Sequence, residues 1–200
     1  MSRRLFAAVA AGLALAALAL AACQPSSAQV GKQWSAAPAM QIDVSKTYTA
    51  TLRTAKGDIV IRLMPEVAPV TVNSFIFLAR QGFYDGVTFH RVLPGFVAQG
   101  GDPTGTGTGG PGYFIPNETS PEATFDGPGV VAMANSGKDR NGSQFFITYA
   151  AQPGLDGGYT IFGRATGGME VVEQLTPRDP SQSPNAPPGD AITTVVIAEK

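Results

Sequence analysis

Phe89-His90-Arg91-Val92-Leu93-Pro94-Gly95-Phe96-Val97-Ala98-Gln99-Gly100-Gly101-Asp102 reads as two short strands, Thr88 to Val92 and Phe96 to Gly100, with Leu93-Pro94-Gly95 between them. Side chains alternate along a strand, so Val97 and Gln99 agree in direction. Upstream, Tyr48-Thr49-Ala50-Thr51-Leu52 and Ile59-Val60-Ile61-Arg62-Leu63 flank Lys56-Gly57-Asp58, a turn carrying the Gly expected of a short hairpin. Ile59, Ile61 and Leu63 share one face. Beyond Pro65 the period changes: Val70, Phe75, Phe77 and Leu78 recur at helical spacing, Pro69 suits a first turn, and Gly82 follows as a stop. Downstream, strands are predicted at Val130 to Asn135, Gln144 to Tyr149, Thr160 to Arg164 and Ile192 to Ala198, with a short helix at Met169 to Leu175. In the second of these strands Gln144, Phe146 and Thr148 point one way, and Phe145, Ile147 and Tyr149 the other. About eight strands with two helices predict a mainly β domain over 47–200. A closed eight-stranded antiparallel barrel is expected, because closure leaves no exposed sheet edge.

Composition agrees with one such domain plus extensions. The chain has 200 residues, with 14 Lys+Arg against 15 Asp+Glu. A net charge of -1 with 14% charged residues gives no electrostatic reason to bind nucleic acid. One Cys and one His exclude a disulfide framework and any multi-ligand metal site built from those residues, so no cofactor and no metal is expected. The 24 Gly and 16 Pro point to a turn-rich β protein.

The amino terminus reads as an address. Arg3 and Arg4 precede an apolar run from Leu5 to Ala22, which gives residues 1–22 the charged and apolar regions of an export signal. An uncleaved transmembrane span is the alternative, since the run is just long enough to cross a bilayer. Against it, the run is mostly Ala and no positive cluster follows. Leu20-Ala21-Ala22-Cys23 also resembles a bacterial lipobox, in which the Cys sulfur carries a diacylglyceryl group and the signal is cut just before it. That reading makes Cys23 a lipidation site and the protein an exported, lipid-anchored member of the cell envelope. Residues 23–46, rich in Ser, Ala, Gln and Pro and without periodicity, are expected to be a flexible tether. Trp34 lies there as an interfacial or loosely packed residue, and ligand binding is expected to change its fluorescence very little.

Three tempting motifs fail. Gly105, Gly107 and Gly110 match a dinucleotide-binding spacing, but Pro111-Gly112 stands where a helix should start. Ser143 lies in Asn-Gly-Ser-Gln and not in a Gly-x-Ser-x-Gly elbow. Asn117-Glu118-Thr119 and Asn141-Gly142-Ser143 fit a glycosylation pattern but read as turns.

The opening stretch, together with Met133-Ala134-Asn135-Ser136-Gly137 running on to Asn141-Gly142-Ser143-Gln144-Phe145-Phe146-Ile147, resembles the signature blocks of the cyclophilin peptidyl-prolyl cis-trans isomerases. Leu155-Asp156-Gly157-Gly158-Tyr159-Thr160-Ile161-Phe162-Gly163 is similar to a third block, and the resemblance spans about Thr47 to Ala198. It implies a barrel capped by two helices with a substrate groove on its outer surface. It also implies that Arg91 is the catalytic residue, that Phe96, Val97, Phe146 and Leu155 line a proline pocket, and that Gln99, Ala134, Asn135 and Gln144 hold the peptide backbone. Tyr159 stands on the far rim, where many members carry His. Gly154 replaces an aromatic residue, often Trp, that contributes more to cyclosporin binding than to turnover, so weak cyclosporin binding is expected.

The residue types make chemical sense for that reaction. Rotation about a peptide bond must break amide resonance, a barrier of ~18–20 kcal/mol, and it breaks no covalent bond. A catalyst therefore has to bind the twisted amide better than either planar form. Once twisted, the prolyl nitrogen regains a lone pair, and Arg91 is a permanent donor that cannot act as a base. A surface salt bridge is the alternative fate of such an Arg. His90 beside it is expected to be structural or at the pocket edge, since no proton is transferred. Two classes of function are kept: a membrane-tethered isomerase acting as a monomer on Pro-containing unfolded or exposed polypeptides, and a non-catalytic chaperone or assembly module using the same groove. Arg91, Phe96, Gln99 and Phe146 together favour the enzyme.

Overall fold

The computed structural model describes residues 32–200, so the expected signal segment and Cys23 lie outside the described residues. Among these residues no helix is long and apolar enough to cross a membrane. The elements run β1 (Tyr48–Thr54), β2 (Gly57–Leu63), α1 (Pro69–Arg80), β3 (Arg91–Leu93), β4 (Val97–Gly100), β5 (Val130–Asn135), β6 (Asn141–Thr148), a 3-10 turn at Pro153–Leu155, β7 (Ile161–Gly167), α2 (Met169–Gln174) and β8 (Ile192–Glu199). Every pairing is antiparallel. Mainly β, with eight strands and two helices, is therefore right.

Closure is not. The strand order is β3-β4-β6-β5-β7-β2-β1-β8, and no ladder joins β3 to β8. The sheet is a curled, open half-barrel and not the closed barrel expected from the strand count. The physical reason is the stretch 86–90, which takes up the backbone groups at the seam. Gly86 N–H donates to Ile192 O at 2.7 Å, Ile192 N–H to Val87 O at 2.8 Å, and Phe89 N–H to Asp190 O at 2.9 Å. Thr88 forms isolated bridges to Asp102 on one side and Ala191 on the other, so the strand predicted from Thr88 shortens to Arg91–Leu93.

Alternation divides the apolar residues between the two faces of the sheet. Leu52, Ile59, Ile61, Ala98, Val131, Met133, Phe145 and Ile147 join Phe75, Ile76 and Leu78 of α1 and Val172 of α2 in the main core. On the opposite face, Val97, Val130, Ala132, Phe146 and Ile161 form a second cluster with Phe125. Pro69 opens α1 without a side-chain cap from its own flank. The cap comes from afar: the Glu118 carboxylate accepts from Val70 N–H at 2.9 Å and Thr71 N–H at 2.8 Å. A carboxylate there satisfies two of the otherwise unpaired amides and opposes the helix dipole. In the β1–β2 turn Gly57 has φ +133°, and a Cβ there would stand 2.8 Å from Val171 Cγ2. The turn therefore excludes side chains on both conformational and packing grounds.

Residues 32–46, expected as part of a flexible tether, instead lie along the domain. The Trp34 ring meets Phe77 edge-on at 5.2 Å and Phe83 at 6.0 Å, and Ile42 is buried in the main core. Asn73 on α1 supplies the polar partners: its Oδ1 accepts from Gln41 N–H at 2.8 Å and its Nδ2 donates to Ala39 O at 3.0 Å. A strap held by scattered anchors has no sequence period to announce it.

Candidate active site

Antiparallel register lines up one row of residues across four strands. Arg91 on β3 stands opposite Gln99 on β4, Gln99 opposite Phe146 on β6, and Phe146 opposite Ala132 on β5. Paired residues project to the same side of a sheet, so the row runs from a guanidinium through an amide to an apolar floor. Phe146 is fixed from two sides, stacked on Phe125 at 5.8 Å and 16° and meeting Tyr159 edge-on at 5.5 Å.

Over this row lies a groove of about 320 Å³ lined by Arg91, Phe96, Val97, Gln99, Ala134, Asn135, Phe146, Leu155 and Tyr159. Every groove residue expected from the sequence is among them except Gln144. The Arg91 guanidinium carbon sits 5.7 Å from the centre of the Phe96 ring. Among the described residues no carboxylate lies within ion-pair distance of Arg91, although Asp179 is near enough to feel its charge. Its head group is left available in the groove. Asn135 closes the other end, donating to Gly158 O at 3.0 Å and accepting from Gly137 N–H at 3.2 Å.

Gln144 stands one step behind the groove wall. Its Oε1 accepts from Gln99 Nε2 at 3.0 Å, and its Nε2 donates to Gly107 O and Gly109 O, each at 3.0 Å. The glycine-rich stretch is thus a bracket for Gln144. Its own amides close on Asp102, whose carboxylate accepts from Thr104, Gly107 and Gly109 N–H and from the Thr104 hydroxyl. Burial pushes the Asp102 carboxyl up, but the Thr104 hydroxyl and these amides outweigh it and hold it below the usual carboxylate range.

His90 is 2% exposed, and neither ring nitrogen has a hydrogen-bond partner among the described residues. Desolvation lowers its pKa, with Arg178 and Arg91 adding to this against the opposing pull of Asp102. Burial thus disfavours the charged imidazole and walls it off from the groove's solvent.

Several supports were invisible in the sequence. Phe125 carries the floor under Phe146 while its N–H donates to Asp156 Oδ1 at 2.8 Å. Gln152 ties the 3-10 turn bearing Leu155 to the opposite wall: its N–H donates to Phe125 O and its Nε2 to Gly95 O at 3.1 Å. Gly154 faces open space, with no atom within 4 Å of where a Cβ would stand.

Known proteins agree with this arrangement. The sequence model of the family described as "Cyclophilin type peptidyl-prolyl cis-trans isomerase/CLD" matches residues 49–197. Peptidyl-prolyl cis-trans isomerase B of Bacillus subtilis (strain 168) is 54% identical over 117 residues, covering 58% of this chain and 82% of that protein. Peptidyl-prolyl cis-trans isomerase B of Streptomyces anulatus is 42% identical over 167 residues, covering 75% of this chain and 95% of that one. The crystal structure of a Cryptosporidium parvum cyclophilin type peptidyl-prolyl cis-trans isomerase superposes with a TM-score of 0.69 at 36% identity, covering 77% of this chain and 99% of the other. A second crystal structure of that protein, in the presence of the dipeptide Ala-Pro, gives the same TM-score of 0.69. With the family's span extending from β1 to β8 and including the whole groove, the chain belongs to the cyclophilin family and is a peptidyl-prolyl cis-trans isomerase.

Proposed function

We propose that this isomerase works in the cell envelope, held to a membrane by lipid on Cys23, on X-Pro bonds of unfolded or exposed polypeptides. The chemistry rests on Arg91. A proline ring seats on the apolar floor of Phe96, Val97, Phe146 and Leu155, while Gln99, Ala134 and Asn135 hold the flanking backbone and Gln144 fixes the Gln99 amide. As the amide twists, its nitrogen becomes pyramidal and accepts a hydrogen bond from the Arg91 guanidinium. Such a donor strengthens its bond only in the twisted state, and that difference is what accelerates the exchange. No proton moves and no bond to the enzyme forms.

The observation that carries this reading is the row Arg91–Gln99–Phe146, a permanent donor and an amide in register with an apolar floor. Its test is the cis-trans exchange of a short Ala-Pro peptide, followed by NMR with no metal or cofactor added. Arg91→Ala should lose about 10²–10³ in rate, the usual cost of one preorganised donor, while the fold is kept. A variant with normal turnover would remove Arg91 from the chemistry and leave the groove as a binding surface for Pro-containing segments. The anchor is tested separately. Cys23→Ser should abolish fatty-acid labelling and leave unprocessed precursor, and label retained by the Ser variant would sink the lipid assignment.

A further inference from the structure

The strap 33–46 precedes the span matched by the family model, which begins at residue 49, yet it touches the bracket behind the groove. Trp34 N–H donates to Pro111 O at 2.9 Å. Gly112 has φ +90°, and a Cβ there would lie 2.7 Å from Trp34 O and 3.2 Å from Trp34 N, so the two backbones meet with no room for a side chain. Pro111 is caught from the other side by β6, its Cδ 3.3 Å from where a Cβ of Gly142 would stand. The Trp34 ring, seated between Phe77 and Phe83, keeps the strap in place. Two residues before Pro111, Gly109 O accepts from Gln144 Nε2, and Gln144 Oε1 accepts from Gln99 in the groove wall.

We propose that Trp34 is a positioning residue for isomerisation: by fixing Pro111 and Gly112 it holds the 107–110 bracket in the geometry that orients Gln144 and, through it, Gln99. The inference rests on the reading of the groove given above. It assigns the strap a task in this chain that the cyclophilin core alone does not contain. Coupling of this kind is reciprocal, so an occupant that tightens Gln99 and Gln144 also tightens the strap. Trp34, the only Trp of the chain, then reports groove occupancy, in contrast to the silence expected of a tether residue.

The test uses the full chain and a tetrapeptide with one Ala-Pro bond. Trp34→Ala should lower kcat/KM about three- to tenfold, the range expected when coupling energy is lost without loss of a contact, and most of the loss should fall on KM because the misplaced groups hold substrate backbone. Trp34→Phe, which keeps an aromatic ring on Phe77, should restore activity to within about twofold. In a Gln144→Ala background, Trp34→Ala should have no further effect. Independent multiplication of the two losses, or normal kcat/KM in Trp34→Ala, would overturn the proposal. Should Trp34→Ala fail to fold, the wild-type chain still decides: saturating tetrapeptide should shift Trp34 emission, and an unchanged spectrum counts against coupling. Arg91→Ala separates the two levels. If it turns over normally, the groove reading fails; if it is inactive while Trp34 is dispensable, only the strap loses its role.

Discussion

The Arg91 guanidinium lies over the Phe96 ring, its central carbon 5.7 Å from the ring centre. Arg91 opens β3, and Phe96 immediately precedes Val97, the first residue of the paired strand β4. A guanidinium above an aromatic ring is steadied by the ring without spending its donors on a carboxylate ion pair. This keeps the donor directed and its hydrogen-bonding capacity unspent until a substrate arrives.

Arg91→Lys should therefore be a poor replacement even though it keeps the charge. An ammonium is a point donor on a flexible stem and loses the guanidinium's position over Phe96. We expect kcat/KM on an Ala-Pro peptide to fall by at least about tenfold, which corresponds to about 1.4 kcal/mol, with thermal unfolding unchanged within error. Near-wild-type turnover in the Lys variant would show that charge alone suffices.

Glu118→Ala should destabilise the domain by about 1 kcal/mol, the typical value of a helix cap, because Val70 and Thr71 N–H lose their acceptor. Glu118→Gln, which keeps one carbonyl oxygen but no charge, should recover part of this. Urea midpoints of the three proteins check it, and the ranking wild type, Gln, Ala is the expected order.

Acid should weaken the fold in two stages. His90 has a lowered folded pKa, first through burial and then through Arg178 and Arg91, so the unfolded chain takes up a proton more readily than the native one. Its contribution is full above the unfolded value of about 6.5 and is lost as pH falls through the folded value. Asp102 acts lower: its depressed pKa gives stability present above about 3.9, the unfolded value, and lost as pH falls further. His90→Leu should remove the first stage and leave the second, read as urea midpoints across the pH range.

Cyclosporin should inhibit weakly, by about one to two orders of magnitude relative to a groove with an aromatic wall, if a hydrogen bond and an aromatic contact are both missing at Gly154. No atom beyond the adjoining residues lies within 4 Å of where a Cβ would stand, so Gly154→Trp should fold normally and tighten binding. Titration of turnover with cyclosporin tests both proteins, and stoichiometric inhibition of the wild type would show that another residue fills the vacant wall.

How far the sequence carried the reading depended on periodicity. Period-two alternation set Phe145 and Ile147 on the face opposite Phe146, and the structure puts the first two in the main core and Phe146 in the second cluster. The groove set was legible from ordered motif blocks and not from composition. Non-local pairings carried no local signal. Glu118 caps a helix 48 residues upstream, Gln152 reaches back 57 residues to Gly95, and the stretch 86–90 spans the seam without a strand of its own. The open sheet went unseen for that reason: counting strands implies closure, whereas irregular backbone had already satisfied the edges.

The pairing of β1 with β8 has a consequence for a protein made from its amino end. Tyr48 is partnered with Glu199, and Thr47 and Lys200 exchange two backbone hydrogen bonds, each 3.0 Å. The first strand stays half-paired until β8 has been synthesised. A nascent chain cannot lock into this architecture before β8 has emerged, and a copy missing β8 would present β1 as a bare, sticky rim to its neighbours.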